Sequence, residues 1–184
     1  MSKQDIPLIG PLLNMLIGTR NERFVKRYNQ RVNAINALEP QIRKLTDADL
    51  RGKAVEFRAR IDKGTRADDL MIEALACARE AMDRGVGIRN IFNPHHSFDP
   101  AALPPEARAL YDETKAAIDA CPPAPPVGEW AGWAEEIPGW MQVDIPNALY
   151  EAVRVLYPES RPPFRARPFD GQLIGAMGLT QGKI

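Results

Sequence analysis

Fourteen of the seventeen prolines lie beyond residue 93. Proline locks φ and has no N–H to donate, so it breaks helix interiors and sheet ladders alike. The chain therefore divides into a first half free to form long helices and a second half cut into short pieces. At 184 residues it can bury a genuine core as one domain or little more. A hydrophobic share of 45% and a charged share of 26% exclude disorder throughout. The helical spacing of its apolar residues makes the expected fold class mainly α.

In the first half, Phe24, Tyr28, Val32, Ile35 and Leu38 recur every three or four residues. The spacing predicts a helix with one apolar face, stopped by Pro40. Thr46, with Asp49 three places on, is a capping-box pattern. It opens a second helix whose stripe is Leu50, Ala54, Phe57 and Ile61, with Gly64 as its stop. Asp68 or Asp69 caps a third, with Met71, Leu75, Ala78 and Met82 inward and Gly85 at its end.

The character changes after about residue 87. Pro104 and Pro105 open a helix with Leu103, Ala107, Leu110, Thr114 and Ile118 on one side. The run Pro122-Pro123-Ala124-Pro125-Pro126 reads as a stiff polyproline II spacer that holds the helices around it apart. Trp130, Trp133 and Trp140 follow within eleven residues. A further helix from about Pro146 to Tyr157 turns Ile145, Leu149, Val153 and Leu156 inward, and beyond Pro158 the chain is extended and basic, with Arg161, Arg165 and Arg167.

The formal net charge of zero hides a segregation: residues 1–44 carry +5, residues 97–160 carry −8 and residues 161–184 carry +3. Basic ends suit an anionic partner, and the acidic middle is unlike a uniformly basic nucleic-acid binder. The longest apolar stretch, Ile6 to Ile17, is 12 residues broken by Pro7, Pro11 and Asn14. A membrane span needs about 20. Asp5 offsets Lys3 and no small-residue cleavage pattern follows, so the mature chain is expected to start at Met1 in the cytoplasm.

Local motifs supply no chemistry. His95-His96 has no third ligand at zinc spacing, and reads as a loop pair. Cys77, amid Leu75, Ala76 and Ala78, reads as a small buried hydrophobe. Cys121 has no neighbouring base to activate it. Gly-x-Ser-x-Gly, His-Glu-x-x-His and Gly-x-x-x-x-Gly-Lys-Thr are all absent.

The last eighteen residues, Arg167-Pro-Phe-Asp-Gly-Gln-Leu-Ile-Gly-Ala-Met-Gly-Leu-Thr-Gln-Gly-Lys-Ile184, resemble the segment R-x-F-D-V-Q-L-x-G-G-M-V-L-x-x-G-K-I of the SecA preprotein translocase ATPases. The first half is similar to the same family. Gly18 to Arg23 resembles G-S-R-N-D-R, Val32 to Pro40 resembles V-x-x-I-N-A-x-E-P, and Leu45 to Lys53 resembles L-S-D-E-E-L-x-x-K. Ala54 to Arg60 resembles T-x-E-F-R-x-R, and Ala78 to Ala81 matches the V-R-E-A region. These blocks cover residues 17–87 and 164–184, roughly half the chain.

The resemblance carries two departures. The family passes almost directly from the region of Gly87-Ile88-Arg89 to that of Pro168-Phe169; here about 75 residues intervene. The expected organisation is therefore 1–89 as an N-terminal helical segment of a SecA-like nucleotide-binding domain, 90–164 as an acidic, Pro/Trp-rich helical insertion, and 165–184 as an adenine-recognition segment. Such a domain is α/β in the complete family protein. The chain also stops before the family's phosphate loop, so it is expected to be a fragment or a shortened relative, inactive alone as an ATPase. Gly171, Ala176 and Gly178 replace the family's Val, Gly and Val.

The resemblance implies that Gln172 and Phe169 bind the adenine of ATP, with Mg²⁺ entering only in the complete motor. A glutamine amide sets an acceptor beside donors, complementary to adenine N6–H₂ and N7, while Phe169 offers a ring face. Asp170 is expected to cap the helix that presents Gln172. The implied partners are the SecYEG translocon, an anionic membrane surface, preprotein in the complete motor and a second copy in a homodimer, with no nucleic acid. Ile9, Leu12, Leu13 and Leu16 offer an apolar face, and Arg20, Arg23, Lys26, Arg27 and Arg31 a basic one, for peripheral attachment to the cytoplasmic face of the membrane. The alternative is a standalone helical interaction protein derived from that motor and without ATPase activity.

Overall fold

The computed structural model describes residues 20–126 and 135–182. Ile9, Leu12, Leu13, Leu16, Trp130 and Trp133, and the side chains of Arg20, Arg23 and Phe24, lie outside the described residues. The architecture is mainly α, as expected. Among the described residues there is no strand, only an isolated antiparallel bridge between Ala124 and Ile137.

Helix α1 spans Arg20–Ile42. Pro40 does not stop it but sits inside its last turn, where only one backbone bond is forfeited and Arg43 N–H still reaches Glu39 O at 2.9 Å. Helix α2 spans Asp47–Asp62 and opens as the pattern predicts: Asp49 N–H donates to Thr46 Oγ1, and Thr46 N–H donates to Asp49 Oδ2, each at 3.1 Å. Its end is a Schellman motif, with Thr65 N–H to Arg60 O at 3.0 Å and Gly64 N–H to Ile61 O at 2.8 Å. Gly64 holds φ of 95°, which favours glycine. The expected α2 stripe is only half realised: Leu50 and Phe57 are half-buried, while Ala54 and Ile61 are exposed, because α2 lies on the outside of the helix that follows.

Helix α3 spans Ala67–Met82, with Arg66 at the cap position and Asp68 and Asp69 in the first turn, where their charge opposes the positive helix end. Its inward face differs from the expected one. Ala78 and Met82 are exposed, whereas Leu70, Met71, Ala76, Cys77, Arg79 and Glu80 are buried. Nor does Gly85 end it. The rod continues as a π turn, Asp83–Gly87, and a 3₁₀ turn, Ile88–Phe92.

Helix α4 spans Pro105–Asp119, with Ala107, Tyr111, Thr114 and Ile118 buried. A single turn, α5 (Gly139–Gln142), precedes α6 (Asn147–Leu156), which buries Leu149, Tyr150, Val153 and Arg154. The proline run does not hold α4 and α6 apart. They pack together, and the run folds back, with Ala124 and Ile137 exchanging backbone bonds of 3.0 and 2.7 Å and Gln142 Nε2 donating to Pro122 O and Ile137 O. Helix α7 (Asp170–Thr180) returns to α1.

Two apolar clusters result. The first joins Tyr28, Val32, Ile35 and Ile42 of α1 and Met71, Ala76 and Cys77 of α3 to Leu173 and Met177 of α7. The second gathers Ile88, Ile91, Phe92, Tyr111, Leu149, Tyr150, Val153 and Phe164, with Trp140 packed half-buried against it. The two ends of the segment that builds the second cluster meet: Asn90 Nδ2 donates to Val86 O at 2.8 Å and to Pro163 O at 2.7 Å.

Candidate functional site

Between the two clusters runs a seam of buried charge. Asp47 Oδ1 accepts from Arg84 Nη1 at 3.0 Å, and Asp47 Oδ2 accepts from Arg89 Nη2 at 3.0 Å, Tyr150 Oη at 2.9 Å and Ile145 N–H at 3.0 Å. Glu80 Oε1 accepts from Arg84 Nε at 2.6 Å and Arg154 Nη2 at 2.8 Å. Asp83 accepts from Arg165 Nε at 3.0 Å and Ala166 N–H at 3.2 Å, and Arg154 Nε lies 3.4 Å away. Three carboxylates and four guanidinium groups thus satisfy one another out of water, as buried charge requires. Arg84 also stacks over the Tyr150 ring, 4.5 Å from its centroid. Burial, assisted by the Asp47 carboxylate, pushes the Tyr150 hydroxyl above its usual range, so it remains a neutral donor.

The seam absorbs part of the basic C-terminal stretch. Arg165 is buried against Asp83, and Arg167 pairs with Glu39, while Arg161 stays exposed beside Glu159. Local reading missed these charges because each looks solvent-facing within its own segment. The one cue was that Glu80, Asp83 and Arg84 are three or four places apart, on one face of the rod.

The seam delivers the chain to α7, whose first turn carries the expected site residues. Phe169 and Gln172 come together there. Phe169 N–H donates to Gln172 Oε1 at 2.8 Å, so the glutamine closes its own helix end. That bond engages one lone pair of Oε1, on a side chain that is otherwise exposed, and leaves the second lone pair and both Nε2 protons for other partners. Phe169 is 66% exposed. Phe169 holds the cap position, so Asp170 is not the cap that sequence suggested. It begins the helix, and its Oδ1 accepts from Arg79 Nη2 at 2.8 Å.

Neither larger cavity contains this turn. An open groove of about 640 Å³ runs between the end of α1 and the start of α6, lined by Pro40, Arg43, Lys44, Asn147, Ala148 and Glu151. Another, of about 580 Å³, includes Arg27, Arg31 and Arg66 in its wall. His95 and His96 are both exposed, and among the described residues no group of three His, Cys, Asp or Glu could hold a metal. Burial raises the Cys77 thiol to about 11, consistent with an inert core residue. Among the described residues no helix is long and apolar enough to cross a membrane.

Residues 13–93 match the family model of the SecA DEAD-like domain. The protein translocase subunit SecA of Thiobacillus denitrificans is 49% identical over 83 residues, covering 45% of this chain and 9% of that protein. The same-named subunit of Burkholderia vietnamiensis is 54% identical over 78 residues, covering 42% of this chain and 8% of its own length. That of Endomicrobium trichonymphae is 45% identical over 83 residues, covering 45% and 10%. The chain thus spans about a tenth of the curated relatives it matches. No solved structure matches it.

Proposed function

We propose that the chain, whose residues 13–93 match the SecA DEAD-like family model, acts as the N-terminal part of a SecA-like, ATP-driven motor for preprotein export through the SecYEG channel. Its contribution is adenine recognition by Gln172 and Phe169, together with contact to the translocon and to the anionic cytoplasmic face of the membrane through the basic α1 residues Lys26, Arg27 and Arg31. The observation that carries the nucleotide role is the first turn of α7, where the Phe169 N–H bond orients the Gln172 amide beside an exposed ring. Adenine offers N6–H₂ and N7 to such an edge; guanine places O6 where the donor was, and is rejected. Glycine at position 171 leaves space beside the turn, with nothing within 4 Å of where its Cβ would be.

The test is an NMR titration of the purified chain with ATP and with GTP at millimolar concentration, following the Gln172 side-chain amide and the Phe169 backbone amide. Support is a shift of both signals with ATP, a weaker one with GTP, and loss of the difference in Gln172→Ala. Equal or absent responses to the two nucleotides would remove Gln172 from the site and leave the other reading, a helical interaction protein without nucleotide chemistry.

A further inference from the structure

We infer that Arg79 and Asp170 form a positioning pair that aims the Phe169–Gln172 turn and thereby sets how strongly the site prefers adenine to guanine; this rests on the nucleotide reading above. Residues 169–172 are all exposed, and the first residue of α7 that reaches the core is Leu173. Gly171 has no packing of its own to hold it. Among the described residues, the bond from Arg79 Nη2 to Asp170 Oδ1 at 2.8 Å is the one side-chain tie between this turn and the body. The two partners are unlike. The Arg79 side chain is 4% exposed and that of Asp170 60%. Arg79 is itself clamped, with Nη1 donating to Asn36 Oδ1 of α1 and the Glu39 carboxylate 4.0 Å away. A clamped, buried cation therefore holds an exposed surface carboxylate, and not the reverse. An ion pair so exposed on one side adds little to stability. Its main effect is geometric: it fixes the residue between the ring of Phe169 and the amide of Gln172, both carried on the same helical turn.

Asp170 variants test this in the full chain, because their side chain is exposed and the fold does not depend on it. The readouts are the ATP-to-GTP affinity ratio from the NMR titration and the melting temperature. Asp170→Ala should lower the ratio by about threefold to tenfold, as coupled neighbours do, with melting within about 3 °C of wild type. Asp170→Asn, which keeps an acceptor facing Arg79 but not the charge, should restore the ratio. A merely structural ion pair would move melting and leave the ratio alone. The inference is overturned if Asp170→Ala keeps the full ratio while Gln172→Ala loses it, or if Asp170→Asn falls as far as Asp170→Ala. If the wild-type ratio is one, or is unchanged in Gln172→Ala, the nucleotide reading itself fails and this inference falls with it.

Discussion

Gly87 and Ala166 touch through their backbones: a Cβ on Gly87 would stand 2.5 Å from Ala166 N and 2.9 Å from the carbonyl carbon of Arg165. This is the point where the excursion from residue 90 to residue 164 closes on itself. Gly87→Ala must push the returning chain off Asp83, so we expect a loss of about 1–3 kcal/mol in urea denaturation. Gly85→Ala, two residues earlier on open helix surface, should be neutral or stabilising by up to about 1 kcal/mol. Equal effects of the two would show that the close approach does not constrain the fold.

Arg154 serves two carboxylates of the seam at once, Glu80 and Asp83. Arg154→Met keeps the volume and leaves both acids short of a cation in a buried place. The expected cost is about 3–5 kcal/mol, read as a drop in the urea midpoint. A change under about 1 kcal/mol would mean that water reaches the seam.

Much of this fold could be read from the chain because its causes are local. The Thr46–Asp49 box, the Gly64 stop and the apolar spacing of Ala107, Thr114 and Ile118 act within a few residues, and the structure realises each. The rotation of α3 could not be read. Arg79, Glu80, Asp83 and Arg84 are charged, so a periodicity argument sends them to solvent; they are inside because Asp47, Arg154, Arg165 and Asp170 meet them from far along the chain. The site divides the same way. Phe169 and Gln172 stand out only through the resemblance of their segment to a family's motif, whereas the bond from Arg79 to Asp170 spans 91 positions, beyond any local pattern.

Glu151 bridges the two halves at the surface. Burial works against its charge, but hydrogen bonds and charge from Arg43 and Arg154 outweigh that and hold its carboxyl below the usual glutamate range. A depressed folded value gives stability that is fully present above the unfolded value, about 4.3, and is lost as pH falls through the folded one. Glu151→Gln should therefore melt lower than wild type at pH 7, with the gap closing below about pH 4. A gap that persists at pH 3 would assign the loss to packing.

Cys77 and Cys121 should separate cleanly under a thiol reagent. Cys77 is buried with its pKa raised to about 11, so at pH 8 thiolate is scarce and access is closed. Cys121 is half-exposed and should react at once. The expected titration is one fast thiol in the folded chain and two in denaturant.

The seam also imposes an order on synthesis. A ribosome releases Asp47, Glu80 and Asp83 well before Arg154 and Arg165, and releases Leu173 and Met177 later still. Until then the nascent helices hold three acids with only Arg84 and Arg89 of their eventual partners, and an apolar cluster open on one side. Buried charge left without its counter-ion keeps such an intermediate loose. The first half to be translated is thus the last to be finished, and a product halted before Arg165 is expected to be a loose chain and not a smaller folded protein.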